Sequence, residues 1–257
     1  MSLSRLTWPL GVSAVALVVW EAAVGALGIK AVVLPRPSAI AAVVLERWPL
    51  LLEHLWPTFY QILLGFALSV VGGFVMAVLL VYSERIRKGV LPLIVTSQIV
   101  PKVAVAPLLV VWFGTGDLSR LLLAFLIAFF PIVINTVVGL TSVDDDYIKM
   151  ARAFMGTRWQ IFAKIRLPHA LPLIFGGMKI SITLAVIGIV VAEFVAAQRG
   201  IGYLIVMANG LLDTPLMMAA IAVLSAMGLA LYGLVVALER VVVYWHVPAE
   251  TPAGGTP

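Results

Sequence analysis

The chain has 257 residues, of which 63% are hydrophobic and only 11% charged, with a mean hydropathy of +1.13. A soluble domain of this length could not bury so much apolar surface, so the composition excludes a water-soluble globular protein and indicates a membrane protein. Cations near the inner leaflet explain the net charge of +5 without nucleic acid, and the lack of cysteine excludes disulfides and thiolate metal sites.

Six apolar stretches are long enough to cross a bilayer, for which a helix needs about 20 residues. They lie at about 8–27, 57–82, 90–113, 118–140, 171–194 and 215–238. The first exceeds the roughly 7–15 apolar residues of a cleaved signal, so we interpret it as a spanning helix. We therefore expect an all-α membrane protein with one transmembrane domain over residues 1–257 and a flexible tail at 247–257.

The loop cations predict the orientation of these spans. With a cytoplasmic N-terminus, the inner loops and tails carry ten Lys and Arg residues and the outer side carries five. The inner ten are Arg5, Arg85, Arg87, Lys88, Lys149, Arg152, Arg158, Lys164, Arg166 and Arg240. Because cations concentrate on the cytoplasmic side, both termini are predicted to be cytoplasmic.

Two outer segments carry helix signals of their own. Ser38 follows two prolines and is expected to cap an interfacial helix that runs to Trp48. The segment at 200–215 is apolar but too short to span. It is either a re-entrant gate element or a helix that rests on the surface of the bundle.

The inner loop at 141–170 has the pattern of two short helices. Asp144 to Asp146 mark the start of the first, and Gly156 is expected to end it in the left-handed conformation. Thr157 and Gln160 have the spacing of a capping box for a second helix, which is expected to run to Pro168. The pattern predicts a cytoplasmic elbow that a partner protein could bind; the alternative is an amphipathic segment that rests on lipid headgroups.

This loop resembles the EAA loop of bacterial ABC importer permeases, whose pattern is E-A-A-x3-G-x9-I-x-L-P. Ala151, Ile165, Leu167 and Pro168 match that pattern in register. Three positions depart from it: Lys149 replaces Glu, Met150 replaces the first Ala, and Met155 replaces Gly, with Gly156 one place late.

Three further segments resemble the permeases of nitrate, sulfonate, taurine, thiamine-precursor and riboflavin importers. They are VLPRPSAI (33–40), PKVAVAPLLVVWFGTG (101–116) and AEFVAAQRGIGYLI (192–205), and the resemblance covers about residues 30–245. It implies a type I ABC importer permease fold in the bacterial inner membrane. It also implies a second permease copy, two cytoplasmic ATPase subunits and an external substrate-binding protein.

The resemblance further implies that the first short helix couples this chain to the ATPase. The coupling residues carried over are Asp146, Lys149, Met150, Ala151, Arg152, Ala153, Phe154, Met155 and Gly156. The sequence has no G-x-x-x-x-G-K-S/T phosphate loop, so ATP and Mg²⁺ are expected on the partner ATPase, with no cofactor and no catalytic residue on this chain.

Polar residues within apolar spans are candidates for the substrate pathway, because burying them in lipid is costly. Lys102 lies between Pro101 and Pro107 and is the main candidate, with packing as its alternative role. Gln98 and Asn135 could hydrogen-bond between helices, and Glu193 could form an ion pair with Arg199 or act as a gate. The histidines His54, His169 and His246 are expected in loops or tails, far apart, and predict no metal site.

A self-contained secondary transporter or channel is the alternative class of function. Such a protein should show internal repeats and carboxylates at the membrane midplane, and the sequence indicates neither. For the substrate, PKVAVAPL resembles the permeases for heterocyclic compounds or vitamin precursors more than those for sulfonates. Sulfonate, taurine, nitrate and aromatic acids remain alternatives.

Overall fold

The computed structural model describes residues 3–245, including all side chains from residue 11 onward and that of Trp8. The helices are α1 (Leu3–Ala26), α2 (Pro37–Glu46), α3 (Trp48–Tyr82), α4 (Glu84–Ser97), α5 (Ala106–Phe113), α6 (Asp117–Thr141), α7 (Asp145–Ala153), α8 (Arg158–Ile161), α9 (Leu167–Ala196), α10 (Ile201–Gly210) and α11 (Thr214–Val242). A 3-10 turn (Lys102–Val105) precedes α5, and a π-helical turn (Phe162–Arg166) joins α8 to α9. His246 and the expected tail at 247–257 fall outside the described residues.

The core is a bundle of α3, α6 and α9 that small residues hold together. A Cβ at Gly65 would lie 2.9 Å from the Cβ of Ala124, and one at Gly188 would lie 2.8 Å from the Cα of the same alanine. Ser181 of α9 donates a hydrogen bond of 2.6 Å to the carbonyl of Ala128 in α6. These contacts are the close approach that small residues permit between helices in lipid.

The glycine contacts also establish the directions of the helices. Gly65 and Gly73 of α3 face Ala124 and Ile132 of α6, so the two helices run parallel. Gly139 of α6 faces Ala170, whereas Gly188 faces Ala124, so α6 and α9 are antiparallel. Because α3 and α6 are parallel, the chain between them must cross the membrane once.

That crossing, predicted as one helix over 90–113, is instead broken. Glu84–Ser97 and Lys102–Phe113 are bent by 84° at the break. Pro101 lies at the break and lacks the amide hydrogen that a continuous helix needs, whereas Pro107 lies in the first turn of α5, where proline is tolerated. Helices or continuous helical runs at Trp48–Tyr82, Asp117–Thr141, Arg158–Ala196 and Thr214–Val242 are long and apolar enough to span, and the bent pair is a fifth candidate.

The predicted first span corresponds to α1, whose apolar part is Gly11–Ala26. From Gly11 to Val19 its side chains are exposed, so α1 lies largely outside the bundle. It contacts α2 through Glu21, whose carboxylate accepts hydrogen bonds from the Ser38 amide at 3.0 Å and the Ser38 hydroxyl at 2.8 Å. The prediction that Ser38 caps α2 is therefore wrong: α2 begins at Pro37, with Arg36 in the capping position.

The spans differ from their predicted limits where the chain enters the bundle. α3 begins at Trp48, nine residues before the predicted second span, because the outer segment continues directly into it. His54 consequently lies in this helix and is buried, and His169 lies in α9, so the placement of these histidines in loops is wrong.

The second helix of the elbow does not stop at the prolines. α8, the π-helical turn and α9 form a continuous helical run from Arg158 to Ala196. The Leu167 amide donates to the Phe162 carbonyl, five residues back, which widens the helix just before Pro168. Pro168 then lies in the first turn of α9, where its missing amide hydrogen costs little.

Candidate coupling and pathway sites

The helix α7 presents one buried and one exposed face at the cytoplasmic side of the bundle. The side chain of Asp144 accepts a hydrogen bond of 2.9 Å from the Asp146 amide and caps the helix. Ile148 is 4% exposed, whereas Met150 is 53% and Phe154 is 81% exposed. Exposed apolar side chains of this size mark a surface that contacts either another protein or the membrane.

The nine residues predicted to couple the chain to an ATPase lie on α7 and the turn after it. Lys149, which stands where the family pattern has Glu, pairs with Asp146 at 2.8 Å. Ala153 is the last residue of α7 and is exposed. Ala151 is half-buried, and Arg152 extends from the side of the helix that carries Ile148.

The turn after α7 uses Met155, and not Gly156, as its left-handed residue. Met155 has φ +61°, and its amide donates to Arg152 while the Gly156 amide donates to Ala151. This is a Schellman motif, in which glycine usually takes the left-handed position. A Cβ on Gly156 would lie 2.7 Å from the Ala151 carbonyl oxygen, so Gly156 is required for close approach. The second helix begins with the predicted capping box of Thr157 and Gln160.

A cavity of about 280 Å³ lies between the elbow and the inner end of α3. Its walls include the side chains of Arg152, Arg158 and Arg166, together with Tyr82 and the apolar residues Ile148, Ile161 and Phe162. Within residues 3–245, none of the three arginines forms an ion pair with a carboxylate. Sequence reasoning placed these cations on the inner side but did not bring them together.

Lys102 and Gln98 lie at the break between α4 and α5. The Lys102 Nζ is 4.6 Å from the centroid of the Phe130 ring, a cation–π contact instead of a contact with a carbonyl or carboxylate. Phe130 lies about midway along α6, which places Lys102 near the middle of the membrane. Gln98 caps the end of α4 and is exposed.

Asn135 is not at this break and does not hydrogen-bond between helices. Its side chain donates to the carbonyl of Pro131 in its own helix at 2.9 Å. A Cβ at Gly177 of α9 would lie 2.9 Å from the Asn135 Cβ. Asn135 therefore packs at the α6–α9 contact.

Glu193 does not form the predicted ion pair with Arg199; it is the buried centre of a hydrogen-bond cluster that holds α10, and a role as a gate stays a prediction. Its Oε1 accepts from the Thr58 hydroxyl and its Oε2 from the Gly202 amide, both at 2.7 Å. The Thr58 oxygen accepts from the Ile201 amide at 2.8 Å, and His54 Nδ1 accepts from the Gly200 amide at 3.2 Å. We call these side chains, Glu193, Thr58 and His54, the outer cluster.

The outer cluster accepts hydrogen bonds from backbone amides at the start of α10. The first amides of a helix have no partner within the helix, so they need such acceptors. Half of α10 is buried, so the segment at 200–215 is built into the bundle and does not merely rest on its surface. Thr58 and His54 were missed as partners because they are more than 130 residues away in sequence. The sequence feature that could have indicated these contacts is the pair of glycines at 200 and 202, which leave room for the Glu193 side chain.

Beside the outer cluster, a second cavity of about 470 Å³ opens near the outer ends of α3 and α6. It is lined by the aromatic residues Trp56 and Tyr60 and by the polar residues Gln61, Asp117 and Arg120, among others. Asp117 Oδ1 accepts from Gln61 and from Arg120, at 2.8 and 2.9 Å. Flat aromatic and hydrogen-bonding groups thus share one outer opening.

Lys179 forms an ion pair with a residue of another helix. Its Nζ lies 3.0 and 2.9 Å from the two carboxylate oxygens of Glu239 in α11. This ion pair joins the inner half of α9 to the inner end of α11.

Comparison with known proteins identifies the family. Residues 69–244 match the family described as binding-protein-dependent transport system inner membrane component. The chain belongs to this family. It is 40% identical over 254 residues to the riboflavin transport system permease protein RibX of Chloroflexus aurantiacus, covering 95% of this chain and 94% of that protein.

Two further relatives are named for the transport of other solutes. The formylaminopyrimidine transport permease protein ThiX of Halalkalibacterium halodurans is 34% identical, over 90% of this chain and 92% of ThiX. The taurine transport system permease protein TauC of Escherichia coli is 31% identical, over 94% of this chain and 90% of TauC.

Family membership confirms the class of protein and the fold that the sequence motifs predicted. The chain is a multi-pass permease subunit of an ABC importer with the type I permease fold. It is a transport component of the inner membrane and not an enzyme, and its family implies ATPase and substrate-binding-protein partners. Its permease relatives carry no cofactor.

Proposed function

We propose that two copies of this chain enclose a pathway for a small organic solute, with α7 of each copy docked on one of two cytoplasmic ATPase subunits. The broken span is the observation that carries this proposal. Ile99 is 81% and Val100 is 54% exposed at a break in the helix. Non-helical backbone at membrane depth is stable only where protein covers it or where it lines a water-filled cavity. A second copy and a central pathway would supply both environments.

Lys102 supports the position of the pathway. It lies directly after the break and near the middle of the membrane, where an ammonium group is costly unless it faces a polar cavity. Replacing Lys102 with Ala should change transport kinetics and leave assembly intact, and Lys30→Ala, in an exposed outer loop, is the matched control. Unchanged kinetics in Lys102→Ala would assign the residue to packing.

The arrangement of the two copies can be tested directly, because the chain contains no cysteine. A single Ile99→Cys substitution should link two copies through a short bismaleimide if the breaks face each other. Leu229→Cys is the control, since Leu229 is 72% exposed on α11, away from the break. Crosslinking through residue 229 and none through residue 99 would contradict the proposed dimer.

Docking of the ATPase on α7 gives a second test. A bulky side chain in Ala153→Trp should block docking, so that the ATPase no longer copurifies in mild detergent and uptake is lost. Gly89→Trp is the control, because Gly89 is also on the inner side and has open space around it. Wild-type complexes should contain about one ATPase per permease, as the proposed pairing of one α7 with each ATPase requires. Normal uptake in Ala153→Trp would exclude the coupling role of α7.

For the solute, we propose a heterocyclic vitamin or vitamin precursor. The 40% identity to a riboflavin permease and the 34% identity to a formylaminopyrimidine permease support this class. The aromatic and polar side chains of the outer cavity also suit a flat heterocycle. The alternative is a sulfonate such as taurine, for which relatives are 31–34% identical. Identifying the partner binding protein and measuring its affinity for riboflavin, formylaminopyrimidine and taurine decides between them.

A further inference from the structure

We propose that the cavity enclosed by Arg152, Arg158, Arg166 and Tyr82, here called the arginine pocket, binds a phosphate group at the inner membrane surface. Three guanidinium groups line one cavity of about 280 Å³. In the described part of the chain no carboxylate pairs with any of them. An anion bound between them would offset the repulsion among the three cations, and arginine suits phosphate because its planar donors bind two oxygens at once.

The three arginines lie on helix faces that border the bundle, with Arg152 and Arg158 exposed to solvent and Arg166 half-buried. Arg152 is four residues after the buried Ile148, Arg158 is three before the buried Ile161, and Arg166 is four after the buried Phe162. Residues three or four apart share a helix face, so each arginine lies on the same side as a buried apolar residue. The exposed face of α7, with Met150 and Phe154, is a different one. Arg152 is one of the nine residues predicted for coupling, but Arg158 and Arg166 lie outside that set, so most of the arginine pocket is separate from the surface proposed to dock the ATPase.

The depth of the pocket favours a lipid headgroup as the source of the phosphate. Tyr82 is the last residue of the spanning helix α3. Trp159 is 69% exposed and its ring lies 5.6 Å from that of Phe162. Exposed Trp and Tyr mark the level of the headgroups, and basic pockets at the cytoplasmic side of spanning helices bind anionic lipid. A soluble phosphate compound has the same chemistry and is the other possible source.

The test compares two double variants of the full-length chain, purified with any subunits that copurify. Arg158→Gln with Arg166→Gln removes two cations of the arginine pocket and leaves α7 unchanged. Arg85→Gln with Arg87→Gln removes the same charge from the inner side of α4, outside the pocket. Arg158→Lys with Arg166→Lys retains the charge and shows whether loss of packing alone causes an effect.

Each protein is reconstituted into nanodiscs of phosphatidylcholine with a minor fraction of phosphatidylglycerol, and retained lipid is measured by native mass spectrometry after release. Wild type, the Arg85/Arg87 control and the lysine variant should retain phosphatidylglycerol. Its affinity should fall about thirtyfold in the Arg158/Arg166 glutamine variant, since each cation near the surface contributes about a fivefold factor. Retention of phosphatidylglycerol to the same extent by all four proteins would overturn the proposal.

A second arm distinguishes the source of the phosphate. If no lipid is retained, but millimolar inorganic phosphate raises the unfolding temperature of wild type and not of the glutamine variant, the ligand is a soluble phosphate. If neither lipid nor phosphate binds, the proposal is wrong. It is also wrong if the glutamine variant loses its ATPase while lipid retention is unchanged, because the arginines would then contact that partner. None of these readouts depends on transport, so the proposed function can fail separately.

Discussion

The two ends of the α3–α6–α9 bundle differ in how completely they satisfy their own polar and apolar groups. In the outer cluster both oxygens of Glu193, the Thr58 hydroxyl and His54 Nδ1 have partners within the chain. At the cytoplasmic elbow, Phe154 and Met155 are 81% and 90% exposed, and the arginine pocket has no internal counter-charge among the described residues. The outer cluster is therefore complete in a single copy, whereas the elbow leaves cations and apolar side chains that a partner would cover.

This difference predicts which helices of the subunit move together in a conformational change and which of them transmit force from a partner. The outer cluster links α3, α9 and α10, so these elements should move together when α9 moves. The elbow is continuous with α9 through the π-helical turn, so force applied to α7 or α8 would reach α9 directly. Substitutions at the outer cluster should therefore affect stability first, and those at the elbow should affect partner binding first.

The largest effect is expected for Gly200→Ala. Gly200 has φ +122°, and a Cβ there would meet the carboxylate of Glu193. Because both the backbone and the contact are incompatible with a side chain, we expect a loss of more than about 3 kcal/mol in the free energy of unfolding. Thermal unfolding in detergent, followed by size-exclusion chromatography, measures this. Gly210→Ala is the control, since nothing lies within 4 Å of its Cβ position, and equal behaviour of the two variants would refute the described packing.

Thr58→Val should have the next largest effect. Valine has nearly the same shape but leaves the Ile201 amide and one oxygen of Glu193 without a partner, at about 1–3 kcal/mol for each buried group. The matched control is Thr183→Val, because the Thr183 hydroxyl only contacts its own helix at an exposed site. Comparing the unfolding temperatures of the two variants isolates the contribution of the outer cluster to stability. A shift no larger than that of the control would show that the hydroxyl is dispensable.

The elements that sequence predicted well depend on local signals. The apolar runs located four of the six predicted spans as continuous helical runs, and Thr157 with Gln160 located the second helix of the elbow, because a capping box involves residues only three apart. The residues that sequence placed wrongly depend on distant partners. An ion pair with Arg199 was one of two roles expected for Glu193, and it is absent because Thr58 and Gly202 become neighbours of Glu193 only after α3, α9 and α10 pack.

The broken span depends partly on local signals and partly on distant partners. Pro101 and Pro107 lie in the span predicted over 90–113, but proline alone fixes neither the angle nor the side toward which a helix turns. The 84° bend depends on packing against α6, where Lys102 contacts Phe130. Packing of this kind cannot be obtained from hydropathy.

The ion pair between Lys179 and Glu239 should have a smaller effect than the outer cluster. The two side chains are 27% and 22% exposed. We expect Lys179→Met and Glu239→Gln each to lower the unfolding temperature, and a double-mutant cycle to give a coupling of about 1 kcal/mol. Exchanging the charges in Lys179→Glu with Glu239→Lys should restore part of the loss. Lys88→Met, which breaks an exposed pair with Glu84, is the control, and a cycle without coupling would show that the pair is only incidental.

The smallest expected effect is a gain of stability at the elbow. Met155→Gly removes the cost of a side chain at φ +61° in the Schellman motif and should stabilise the turn by about 0.5–1 kcal/mol. The Gly156 amide, which donates to Ala151, should then exchange with deuterium about two to five times more slowly, as measured by hydrogen exchange on the purified permease. Met150→Gly, inside α7, should act in the opposite direction, because glycine weakens a helix interior. Faster exchange at Gly156 in Met155→Gly would mean that the methionine holds the turn through contacts of its side chain, and that the departure from the family's glycine is compensated there.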